Sequence, residues 1–124
     1  MLLFVVKVTI LELLESVFDQ IHSLVAAFKN NNRSKREVKT NDVQKMDCKT
    51  FLKVLDLFEQ LQNLAKGPEM IVSNHQKIEK LSNEIQMYST SHAISQESCQ
   101  HLNSSIISSI NQKLKSTESF LGKL

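Results

Sequence analysis

One proline and two glycines are all that punctuate the 124 residues of this chain. Pro68 follows Gly67 directly, and Gly122 stands near the carboxyl end. All-β sandwiches and barrels turn every few residues, and tight turns draw on glycine and proline. So little punctuation excludes an all-β fold and leaves room for long helices. Hydrophobic residues make up 41% of the chain and charged residues 23%, which is enough apolar content to pack a core rather than form a disordered tail. The length suits one structural module.

The apolar periodicity is helical. Leu3, Ile10, Leu14, Val17, Ile21, Leu24 and Phe28 follow three- and four-residue steps once past the amino end. Leu11, Phe18 and Val25 form a second row at spacing seven, so this helix, placed at residues 1–28, has a broad apolar face that contacts more than one neighbour. A basic linker is expected over 29–46. Residues 29–49 carry seven basic side chains (Lys29, Arg33, Lys35, Arg36, Lys39, Lys45, Lys49) against three acidic ones (Glu37, Asp42, Asp47), and Asn30, Asn31 and Asn32 favour a helix stop. A second helix is expected over 47–66, with Phe51, Val54, Phe58, Leu61 and Ala65 on one seam and Leu57 and Leu64 beside it. Gly67-Pro68 closes that helix and opens the next.

The remainder, 68–124, reads as one long coiled-coil helix. Ile71, Ile78, Ile85, His92, Cys99 and Ile106 recur every seven residues, with Asn74, Leu81, Tyr88, Ser95, Leu102 and Ser109 as the companion row. The phase slips by one after Ile106 and resumes at Ile110, Leu114, Thr117 and Leu121. Eight serines between Ser89 and Ser109 weaken the helix, because serine competes for backbone hydrogen bonds. A helix this long would span about 84 Å, against roughly 40 and 30 Å for the first two. Two short helices cannot cover it, and a bare seam calls for a partner chain. The expected fold is therefore all-α: two shorter helices and one long coiled-coil helix in an extended helical-bundle subunit. The expected partner-binding residues are Ile71, Ile78, Leu81, Ile85, Tyr88, His92, Cys99, Leu102, Ile106, Ile110, Leu114 and Leu121.

Nothing in the sequence points to catalysis. No Gly-rich phosphate loop and no Gly-x-Ser-x-Gly elbow is present. His92 and Cys99 lie two turns, or about 10 Å, apart on a helix, and no Cys-x-x-Cys or His-x-x-x-His pair suits zinc. An enzyme, a cofactor, a metal site and a small-molecule substrate are not expected. Arg33-Ser34-Lys35-Arg36 reads as a solvated linker, with a dibasic processing site or a weak nucleic-acid patch as alternatives. Without stacking aromatics, nucleic acid is not an expected partner. The apolar start, broken by Lys7 and Glu12, fits neither a membrane span nor a signal peptide with a basic leader region. Cys48 and Cys99 read as two reduced, half-buried thiols of a cytosolic protein, with a single bridge left open for a secreted one. The N-glycosylation patterns Asn32-Arg33-Ser34 and Asn103-Ser104-Ser105 matter only in that second case.

The strings LFEQLQNL (Leu57–Leu64), IEKL (Ile78–Leu81), AISQESCQHL (Ala93–Leu102) and STESFLGKL (Ser116–Leu124), in that order, resemble the carboxyl half of the small shoulder subunit family of dynactin, over about residues 51–124. The resemblance implies an all-helical, non-catalytic subunit that supports dynein-based microtubule transport. It further implies a cytoplasmic, cytoskeleton-associated chain that packs with dynamitin and the large dynactin arm subunit. Three rivals stand beside it. One is a small subunit of another coiled-coil assembly (kinetochore, tethering or lysosome-positioning). Another is a secreted helical-bundle ligand. The third is a membrane-fusion coiled coil, disfavoured because no membrane span follows Leu124.

Overall fold

A computed structural model describes residues 2–33, 45–88 and 93–123. Among the described residues the chain is all-α apart from one two-residue ladder. Its elements are α1 (Leu2–Arg33), β1 (Lys45–Met46), α2 (Cys48–Leu64), α3 (Pro68–Ser73), α4 (His75–Tyr88), β2 (Ala93–Ile94), α5 (Gln96–Gln100) and α6 (Ser104–Gly122).

The seam of α1 is its buried face. Ile10, Leu14, Val17, Ile21, Leu24 and Phe28 are all buried, and Val25 joins them. Asp47 starts α2: its Oδ1 accepts a hydrogen bond from the Lys49 backbone N–H at 3.1 Å, occupying one of the helix's otherwise unpaired donors. Asp47→Ala is expected to cost about 1 kcal/mol of stability, read as a lower urea midpoint at unchanged slope. Along α2, Phe51, Val54, Leu55, Leu57, Phe58 and Leu61 are buried. Gly67 caps α3 with extended backbone and Pro68 occupies its first turn, where the missing proline N–H costs nothing.

Aromatic contacts fix how the helices run. Phe28, near the end of α1, stacks on Phe51 near the start of α2 at 5.1 Å between ring centroids. Phe18, earlier in α1, meets Phe58, later in α2, edge-on at 5.8 Å. The two helices are therefore antiparallel. Helix α4 runs back along α2: the Lys53 ammonium sits 5.1 Å from the Tyr88 ring centroid at one end, and Asn74 Nδ2 donates to the Leu64 carbonyl at the other. Helix α6 packs across both α1 and α2. Phe120 meets Phe18 and Phe58 edge-on, each at 5.7 Å.

Two ion-pair sites tie α6 down at its surface. Glu118 accepts from Lys29 of α1 at 2.7 Å, and Lys113 reaches both Glu59 (2.9 Å) and Asp56 (3.1 Å) of α2. The hydrogen bond from Lys113 to Glu59, with a smaller one to Asp56, holds the ammonium above its ordinary value of 10.5 against partial desolvation. A lysine whose pKa rises on folding adds stability that is present in full below its unfolded value and is lost as pH climbs through the folded one. The stability gap between the native chain and Lys113→Met should therefore be flat from neutral pH to about pH 10 and close above pH 10.5. Its size should stay under about 1 kcal/mol, because both carboxylates are half exposed. Thermal melts across that pH range would check this.

The continuous helix expected over 68–124 is not what forms. Among the described residues four helices, α3 to α6, divide that span. Asn74 turns the chain between α3 and α4, its side chain spent on the Leu64 carbonyl. Ser95 caps α5 through a bond from the Ser98 N–H at 3.3 Å, while Ser98 Oγ donates to the Ser95 carbonyl at 2.6 Å. Asn103 caps α6. At Ser95 and Asn103, short polar side chains that bond to nearby backbone outcompete helix continuation. In the long gap before α5, β2 pairs in parallel with β1, Lys45 opposite Ala93 and Met46 opposite Ile94.

The expectation of two free thiols is also corrected: Cys48 and Cys99 form a disulfide. Their Cα atoms are 5.1 Å apart, inside the range such a bond spans. The bridge joins the first residue of α2 to α5 beside the β1–β2 ladder. The Cys48 backbone N–H donates to Ser98 Oγ at 2.8 Å, and the Ser95 N–H to the Met46 carbonyl at 2.8 Å. Strand pair, hydrogen bonds and disulfide together staple the start of α2 to the segment that enters α5.

Candidate functional site

The expected partner-binding residues that the structure describes are spread over α3 to α6 and the turn before α6, and turn mostly inward. Ile78 and Ile85 of α4 are fully buried, and Ile110 and Leu114 of α6 are buried. Ile71, Leu81, Tyr88, Leu102, Ile106 and Leu121 are partly buried against the same core. Cys99 is in the disulfide. His92 lies outside the described residues. Breaking the long helix allows this: once α4 and α6 separate, each lays its part of the seam on α1 and α2.

A cleft of about 410 Å³ opens between α1, the α2–α3 corner and the end of α6. Leu11, Leu14, Phe18, Ala65, Ile71 and Phe120 make its apolar walls. Its size falls in the range of small-ligand and side-chain pockets. Leu11 is 45% exposed, so the cleft opens onto apolar surface. Among the described residues, the charged ones at the cleft are Glu15 and Asp19, one turn apart on α1 and both exposed. Neither makes an ion pair among the described residues. The cleft thus combines an apolar floor with an acidic rim, in a chain of net charge +2.

Of the cleft residues only Ile71 is among the expected partner-binding set. The signal for the others was the second row of α1, Leu11 and Phe18, whose breadth implied a further neighbour. Part of that row is covered by Phe58 and Phe120, and part stays open.

Among the described residues no group of three His, Cys, Asp or Glu could hold a metal ion. His75 Nδ1 lies 2.8 Å from the Val72 carbonyl, so that ring serves the turn between α3 and α4. No helix of the described residues is long and apolar enough to cross a membrane. The fold and its staple define the class: an all-α, disulfide-linked helical bundle. Comparison with family models, curated proteins and solved structures returned no match.

Proposed function

We propose that this chain is a non-catalytic binding protein of an oxidising compartment, a secreted helical-bundle ligand. The observation that carries this reading is the Cys48–Cys99 bridge. Disulfides persist in secretory and extracellular environments and are rare where glutathione and thioredoxin keep thiols reduced. The bridge sits in a formed setting rather than on a loose surface: Cys48 is 1% exposed, and Ser98 bonds the Cys48 N–H beside it. The cleft between α1, α3 and α6 is the surface this reading gives the partner. Its chemistry complements an apolar side chain next to a lysine or arginine.

A dynactin-type scaffold subunit is the other reading, supported by the resemblance over residues 51–124. It asks Ile78, Leu81, Ile85, Leu102 and Ile106 to face partner helices. Ile78 and Ile85 lie in this chain's own core and the other three pack partly buried against it, so the support moves to the secreted ligand. The test is to isolate the protein from its own cells with thiols alkylated before lysis. Recovery from the secretory route or the medium, with no alkylated cysteine until reduction, is the expected result. Recovery from the cytosol with both cysteines alkylated, in a stoichiometric complex with dynamitin, would overturn the ligand reading and favour the scaffold.

A further inference from the structure

We propose that Asn103 is an N-glycosylation acceptor, placed so that the modification leaves both the fold and the cleft intact. The inference rests on the oxidising-compartment reading above, because oligosaccharide transfer to asparagine and disulfide formation share the secretory route. An Asn-x-Ser triplet means little until the fold shows it on an accessible surface loop. Here Asn103, Ser104 and Ser105 are all exposed, at the junction between α5 and α6. Asn103 has extended backbone, with φ −74° and ψ 164°.

The side-chain amide is already oriented. Asn103 Oδ1 accepts the Ile106 N–H at 2.9 Å as the cap of α6. That bond engages Oδ1 and not Nδ2, the atom that takes the sugar. Asn74 is the contrast: its Nδ2 donates to the Leu64 carbonyl inside the α2–α4 corner. In the transfer, Nδ2 of Asn103 attacks the anomeric carbon of a lipid-linked oligosaccharide diphosphate. A C–N bond forms, the C–O bond to the diphosphate breaks, the lipid diphosphate leaves and Nδ2 gives up one proton to the transferase. The amide carbonyl is untouched, so the cap bond to Ile106 survives.

Two further features fit. Ile107 is 40% exposed one turn into α6, on the face that starts at Asn103, and a glycan there would shelter it. The cleft lies at the other end of the same helix. From Asn103 to Phe120 is about 25 Å along the axis, so the glycan would cover the stapled end and leave the partner surface open.

The test uses the full chain, isolated from its own cells and also expressed in a eukaryotic secretory host as native, Asn103→Asp and Ser105→Ala. Asp caps a helix as well as Asn does but offers no amide nitrogen, so a loss of glycan in Asn103→Asp is not a loss of fold. The native chain should gain electrophoretic mobility on digestion with peptide N-glycosidase, and the peptide spanning residue 103 should then carry Asp. Both variants should run like the digested native chain and show no shift. A bridged chain without glycan at Asn103, or one whose glycan maps to Asn32 and persists in both variants, would overturn this proposal while leaving the compartment reading in place. A chain with free thiols and no glycan would overturn both.

Discussion

Reducing the Cys48–Cys99 bond, or replacing both cysteines with alanine, is expected to lower the unfolding free energy by about 4 kcal/mol. The bridge closes a loop with a sequence separation of 51, and the chain-entropy relation gives about that value for such a loop. In a chain of this length the loss corresponds to a fall in Tm of about 15 °C. Each single replacement should cost nearly as much as the double one, since one bond is lost in every case. The reduced native chain should match the double variant. Thermal melts with and without reductant check this directly. A shift of only one or two degrees would show that the β1–β2 ladder and the Ser98 bonds hold the two segments together without the bridge.

The second large effect is expected at Phe58. Its side chain is fully buried, at the meeting point of α1, α2 and α6, with Phe18 and Phe120 edge-on to it. Phe58→Ala should cost about 3–5 kcal/mol, because the rings around the void are fixed by one another and collapse only in part. Phe120→Ala should cost less, since Phe120 is half-buried at the cleft wall. The two together should fall short of the sum by about 0.5–1.5 kcal/mol, the share belonging to the ring–ring contact. Urea titrations of the two single variants and the double variant would measure all three quantities. Strict additivity would mean that the edge-on geometry contributes nothing beyond apolar burial.

Both effects bear on function as much as on stability. The bridge is the main support for placing the chain in an oxidising compartment. The Phe18–Phe58–Phe120 cluster forms the floor beneath the cleft, so loosening it should blur the proposed partner surface before it unfolds the chain.

The helical content was readable because it depends on local pattern. Ile10, Leu14, Val17, Ile21, Leu24 and Phe28 repeat at helical spacing, and all six are buried. The heptad row was equally visible, but what it faced was not. Ile78 and Ile110 carry the same periodic signal whether the neighbouring helix belongs to the same chain or to another. Periodicity reports that a face is apolar and says nothing about who covers it. The breaks in the expected long helix had a trace in the serines and in Asn74 and Asn103. Whether such residues cap a helix end or sit inside a helix depends on the backbone around them, which a pattern of apolar residues does not encode.

The cysteines show the same division most clearly. Two cysteines separated by 51 residues admit either thiols or a bridge, since separation along the chain carries no distance in space. Only the approach of β1 to β2, and of α5 to the start of α2, brings their Cα atoms to 5.1 Å. Local sequence therefore decided that the chain is helical, and which faces are apolar. The tertiary structure decided that those faces close on one another, that the cysteines meet, and that Leu11, Ile71 and Phe120 gather into a cleft. Each of these needs contacts between residues far apart in the chain, and no short-range preference specifies them.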